Sequence, residues 1–135
     1  HLNIIYLKMK IKSSQSLVQE ALKAVKTITP KEALEKLEKK QCNLIDIRDT
    51  FELQREGSVE NSYHIPRGLL EFSIHPESPY IEKTKLDITK ELVLFCAAGG
   101  RSALAAKTLN DMGFEKVSHV EGGFNLMKNS GFKIK

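Results

Sequence analysis

The sequence predicts an α/β domain with a mainly parallel central sheet of about five short strands and helices on both faces. Three observations carry this expectation. Residues 43–47 and 92–95 are short apolar runs of the kind that form strands buried on both sides, and 117–120 reads as a last strand. Segments with helical periodicity and recognisable caps stand between and around them. The length, 135 residues, suits a single hydrophobic core. Strand–helix alternation of this kind is solved by a parallel sheet covered above and below.

In chain order, Leu2 to Leu7 is apolar but too short, and lacks the small-residue cleavage pattern, for a signal peptide. Met9 would serve equally well as the natural start. Ser13 or Ser14 caps a first helix, whose apolar positions Leu17, Ala21, Leu22, Val25 and Ile28 recur at three- and four-residue steps. Thr29, Pro30 and Glu32 form a second start signal, with the proline in the first turn and the acid where a capping box needs it. The strand 43–47 follows. A brief helix then begins at Asp49 and ends near Gly57, and a strand over 62–65 is stopped by Pro66. Residues 74–91, with Pro76, Pro79 and mixed polar side chains, read as a long surface excursion. The strand 92–95 runs into Cys96 and a glycine turn. A helix from about Arg101 to Met112 then points Leu104, Ala105, Thr108, Leu109 and Met112 inward and stops at Gly113. The strand 117–120 and a short helix after Gly122-Gly123 close the chain. Residues 1–27 are expected to form a helical extension and 28–135 the domain.

Composition narrows the partners. The net charge is +4, but residues 1–42 hold nine Lys and four Glu while the rest holds twelve Lys or Arg against thirteen Asp or Glu. The excess therefore lies on one helical stretch where Lys alternates with Glu, without interleaved aromatics or an Arg cluster, and no nucleic-acid surface is expected. No apolar run approaches membrane-spanning length. Two cysteines without an export signal suggest free thiols in the cytoplasm.

The chemistry concentrates at 96–102. In parallel sheets, function gathers where strand ends lead into helix N-termini, and Cys96 stands at such a point. Gly99 and Gly100 let successive backbone N–H groups turn inward as an anion nest, with the following helix aiming its positive end at the same spot. A thiolate there is stabilised. Arg101 sits against the helix dipole, a placement that is useful if an anion such as a thiolate, persulfide or sulfur oxyanion is held nearby. Ser102 can cap the turn or donate to sulfur. The small side chains of Ala97 and Ala98 predict an open approach to the sulfur; a thiol shut away from solvent would undo this reading. Cys42, in a loop before a strand and without a nest, reads as structural.

Cys96-Ala97-Ala98-Gly99-Gly100-Arg101-Ser102 resembles the active-site loop of single-domain rhodaneses. Asp46-Ile47-Arg48 with Glu52 and Gly57, His64-Ile65-Pro66-Arg67-Gly68, and Glu121-Gly122-Gly123-Phe124 are similar to the other motifs of that family, in its order. The likeness covers residues 28–135. It implies the rhodanese-like fold, a Cys96 persulfide, and transfer of sulfane sulfur from thiosulfate, a polysulfide or a protein persulfide to a thiol, cyanide or partner-protein acceptor. No cofactor or metal is implied. Residues 97–102 would bind the substrate, with Asp46 and Arg48 bracing the loop from beneath. Arg67 is either at the pocket rim or an ordinary surface arginine. His64 and His75 read as structural, since a persulfide mechanism needs no base. Ser58 stands where the family usually has His, and Leu126-Met127 replaces a common Ala-Trp, which reads as a core substitution. Ala97 and Ala98 leave the loop without the cations that suit thiosulfate. Two rivals remain: a phosphatase, whose related loop is one residue longer between Cys and Arg, and a rhodanese module that binds partners with its thiol idle.

Overall fold

The computed structural model describes residues 3–135; residues 1 and 2, the head of the expected extension and of its Leu2 to Leu7 stretch, lie outside it. The strands are β1 (Lys26–Ile28), β2 (Cys42–Asp46), β3 (Tyr63–His64), β4 (Glu91–Phe95) and β5 (Val117–Val120). They form one sheet in the order β1-β5-β4-β2-β3, and every pairing is parallel. The helices are α1 (Ile4–Met9), α2 (Ser14–Ala24), α3 (Pro30–Glu38), α4 (Thr50–Glu56), α5 (Leu70–Ile74), α6 (Pro79–Thr84), α7 (Gly100–Met112) and α8 (Gly123–Met127). The expected fold class is the one observed.

Strand periodicity sorts the core into two layers. Ile45, Ile47, Leu92, Leu94, Cys96 and Val117 face one way and pack with Leu70, Ile74, Ala105 and Leu109. Leu44, Val93, Phe95 and Val120 face the other way, against Ile28, Ala33, Phe124 and Met127. Cys96 thus inherits from β4 a side chain directed toward α7.

Local signals account for most boundaries. Ser13 caps α2, its hydroxyl accepting from Ser16 N at 3.0 Å. Thr29 and Glu32 complete the capping box of α3, with Glu32 N to Thr29 Oγ1 and Thr29 N to Glu32 Oε1 both 3.1 Å. Five expectations need correction. The first helical stripe does not run to Ile28: α2 ends at Ala24, and Lys26–Ile28 is an edge strand on β5. Leu17 and Leu22 are about half exposed, while Ala21 is the buried residue of α2. The stretch 74–91 is no open excursion, because Ser78 caps α6, Pro79 takes its first turn, and Ile74, Ser78 and Leu86 are buried. On α7 the buried set is Ser102, Ala103, Ala105, Ala106 and Leu109, and Met112 is exposed, because α2 and the sheet approach from different sides. The C-terminal pair splits likewise: Met127 is buried and Leu126 is half exposed.

β1 runs across residue 27, so the last two residues of the expected extension, Lys26 and Thr27, lie in the sheet. No helix is long and apolar enough to cross a membrane among the described residues. The capping box gives a stability test. Thr29→Ala should lower the unfolding free energy by about 1 kcal/mol in urea titration, with an unchanged denaturant slope.

Candidate active site

The residues between Phe95 and Ala103 curl into a loop around one sulfur atom. Gly99 N donates to Cys96 Sγ at 3.1 Å and Ser102 N at 3.3 Å, and the Ser102 hydroxyl lies 3.5 Å from the same sulfur. Gly99 has φ +107°, which is the reason a glycine is needed where the loop turns its amide inward. The amides that converge on the sulfur are thus those of Gly99 and of Ser102 in the first turn of α7, rather than the successive Gly99 and Gly100 pair expected.

The loop is held from outside by α8. Phe124 N donates to Cys96 O at 2.8 Å, and Asn125 N donates to Ala97 O at 3.0 Å. These bonds need Gly123 without a side chain: at its φ of +53°, a Cβ would sit 2.3 Å from Cys96 O. From beneath, Arg48 and Asp46 form a fully buried pair, with Nη2 to Oδ2 at 2.7 Å and Nε to Oδ1 at 3.0 Å. The Arg48 guanidinium lies 3.9 Å from the centre of the Phe124 ring and 5.9 Å from that of Phe95. It also donates to Gly57 O at 3.0 Å. Its Nη1 is buried without a hydrogen-bond partner, and the aromatic faces supply part of what is missing. Asp46 and Arg48 thus reach the loop through Phe124, whose amide holds Cys96 O.

Three features differ from the sequence expectations. Cys96 is only 1% exposed, so the sulfur is not openly approachable. The two amides that grip it belong to the loop itself, and of residues 96–100 only Ala98 is exposed. Arg101 is not an unpaired cation. Its Nη1 and Nη2 each donate to Glu52 at 2.9 Å, a bidentate pair that offsets the cost of a cation at a helix start. Arg67 bonds to Glu71 at 2.7 Å and to Thr108 at 3.3 Å. Thr108 lies two turns, about 10 Å, along α7 from Arg101, so the structure does not bring Arg67 to the sulfur.

Two roles were not legible in sequence, those of Glu52 as partner of Arg101 and of His119 beside Ser102. Glu52 also accepts from Asp49 N at 2.8 Å, which fixes the start of α4. Its carboxyl is held down to about 2, chiefly by the hydrogen bonds from Arg101. His119, on β5, is buried with Nδ1 2.9 Å from Ser102 Oγ and Nε2 2.9 Å from Thr27 Oγ1. His64, by contrast, bonds to Arg48 O at 2.7 Å, and His75 receives Glu77 N at the surface. Cys42 is buried at the opposite end of the strands, and its thiol is pushed up to about 11 by desolvation. Among the described residues, no cluster of three His, Cys, Asp or Glu is placed to hold a metal.

The rhodanese-like domain model matches residues 29–130. The chain belongs to the rhodanese-like domain family. Within it, this rhodanese-like domain is 30% identical over 97 residues to thiosulfate sulfurtransferase GlpE of Glaesserella parasuis, covering 72% of this chain and 81% of the relative. A polysulfide-sulfur transferase homodimer from Wolinella succinogenes superposes with a TM-score of 0.69 and 35% identity, over 90% of this chain and 85% of that one. A Rhodopseudomonas palustris protein of unknown function, described as a possible tyrosine phosphatase, gives a TM-score of 0.79 and 36% identity over 92% and 95% of the two chains. The chain spans about 30% of the length of the tRNA uridine(34) hydroxylase of Chlamydia felis, to which it is 31% identical over 99 residues.

The Glu52–Arg101 pair sets an acid limit. Glu52 has its folded titration below the ordinary 4.5, so it contributes stability that is present above that value and lost as pH falls toward about 2. Glu52→Gln should flatten this part of the stability–pH curve, read by thermal unfolding between those limits; a curve parallel to that of the parent would contradict the assignment.

Proposed function

We propose that this rhodanese-like domain is a sulfurtransferase that carries sulfane sulfur as a Cys96 persulfide. The observation that carries the reading is the paired approach of Gly99 N and Ser102 N to Cys96 Sγ, which favours sulfur in its anionic, nucleophilic form. In the loading step, the Cys96 thiolate attacks the outer sulfur of the donor. A new S–S bond forms, the donor's own S–S bond breaks, and the departing fragment leaves with the electron pair. A thiolate or cyanide acceptor then attacks the outer sulfur, and Cys96 regains its thiolate. Residues 97–102 form the donor's approach, with Asp46 and Arg48 as supports.

The donor favoured here is a polysulfide or a protein persulfide. Ala97 and Ala98 offer no cation to a thiosulfate dianion, and Arg101 is already engaged by Glu52. Likeness to the Wolinella polysulfide-sulfur transferase supports the same choice. The burial of Cys96 adds a condition that the sequence did not foresee: a donor meets the sulfur only when the loop at 97–100 lifts from it.

That same burial favours a second reading, in which the domain binds a partner and its thiol stays idle. A phosphatase reading is less well supported despite the R. palustris likeness. Only four residues separate Cys96 from Arg101, and the arginine fork that would grip a phosphate is occupied.

Intact-mass measurement after incubation with polysulfide, thiosulfate or a persulfidated protein separates these readings. The expected result is a gain of one sulfur atom that maps to Cys96, is discharged by cyanide, disappears in Cys96→Ser and persists in Cys42→Ser. No gain with any donor would leave the idle-module reading in its place.

A further inference from the structure

Cys96 is sealed from solvent, yet its sulfur is one end of a continuous row of hydrogen-bonding groups. Sγ lies 3.5 Å from Ser102 Oγ, which lies 2.9 Å from His119 Nδ1; on the far side of the ring, Nε2 lies 2.9 Å from Thr27 Oγ1. Ser102 and His119 are buried, whereas Thr27 on edge strand β1 is exposed. The register places His119 between Leu94 of β4 and Thr27 of β1, so the sheet itself aligns the row. A buried imidazole hydrogen-bonded through both nitrogens to hydroxyls can stay neutral and exchange tautomers.

We propose that His119 is a positioning residue for the sulfur: with Thr27 it lets Ser102 accept from the Cys96 thiol and donate to the thiolate, and it conducts the thiol proton to solvent. The proposal rests on Cys96 acting as the nucleophile. In the thiol state, S–H points to Ser102 Oγ, the Ser102 hydroxyl donates to Nδ1, and Nε2–H donates to Thr27 Oγ1. Ionisation moves one proton at each link. The S–H bond breaks and its proton joins Ser102; the former Ser102 proton joins Nδ1; the Nε2 proton joins Thr27; the Thr27 proton leaves to water. The bonding pair stays on sulfur, and the imidazole begins and ends neutral. Afterward Ser102 donates to the sulfur anion, supported by an N–H from Nδ1. Ser102 Oγ also lies 3.3 Å from Gly99 O, an acceptor that the Ser102 proton deserts in both states.

The surroundings fit a neutral relay. The groups that face His119 are uncharged: Thr27 from β1, Leu94 from β4 and Ser102 from α7. Burial alone lowers its affinity for a second proton. The charges near the sulfur are Arg101, paired to Glu52, with Asp49 beyond, and Glu20 of α2 is engaged at the surface by Lys12. None of these is altered by substitution at 27 or 119.

The test is the rate of Cys96 alkylation by iodoacetamide across about pH 6 to 10, which brackets the ordinary thiol range, in the full chain with peptide mapping to separate Cys96 from Cys42. Thr27→Val should slow alkylation at neutral pH about 3- to 10-fold, the effect of one lost hydrogen bond, and move the profile to higher pH. Thr27→Ser should restore both rate and profile, and His119→Phe should match or exceed the valine effect. An unchanged profile in Thr27→Val, or a serine variant that does not recover, overturns the proposal. Because residue 27 is exposed, the valine and serine variants decide the matter even if His119→Phe fails to fold. Sulfur loading is read separately. A parent chain that loads sulfur while Thr27→Val keeps the parental profile refutes the relay alone. A shifted profile in a chain that never loads sulfur refutes the sulfurtransferase reading and leaves the relay standing.

Discussion

The site depends on the direction in which a few peptide groups point. A loop of seven residues can aim its amides at an enclosed sulfur only if its carbonyls find partners elsewhere, because buried backbone groups must be paired. α8 supplies those partners: Phe124 N and Asn125 N take the carbonyls of Cys96 and Ala97, leaving Gly99 N and Ser102 N to converge on Sγ. Each bond contributes only about 1 kcal/mol net, but together they decide the orientation of the loop. The side-chain-free Gly123 permits the close approach on which they rely.

Electrostatics follow from that geometry. Two arginines lie near the loop, and both are neutralised by carboxylates: Arg48 beneath by Asp46, and Arg101 above by Glu52. The sulfur is therefore surrounded chiefly by amide dipoles and a hydroxyl, with two of the amides already aimed at it before charge develops. Arg48 serves packing as much as charge, since its guanidinium lies against Phe124, the residue whose amide holds Cys96 O.

Much of this was readable from the residues. The strands 92–95 and 117–120, the Thr29–Glu32 box and the Cys96 nest were set by local pattern, and local pattern is what a sequence displays. β1 escaped because three residues, Lys-Thr-Ile, carry too little signal, and Ile28 happened to fall in phase with the α2 stripe. The partner of Arg101 is 49 positions away, so the pairing with Glu52 depends on how α4 and α7 meet. His119 looked like an ordinary strand residue because its two contacts come from α7 and β1. The enclosure of Cys96 was missed because small side chains suggest openness, whereas the loop folds its own Gly99 and Ser102 amides onto the sulfur.

The position of the other cysteine has a bearing on oxidation. Cys42 opens β2 and Cys96 follows the last residue of β4, so the two thiols lie about 16 Å apart along the sheet, well beyond the reach of a disulfide. Burial keeps the Cys42 thiol protonated as well. Among the described residues Cys42 cannot resolve an oxidant-modified sulfur at position 96, so a disulfide formed there would join it to a thiol other than Cys42.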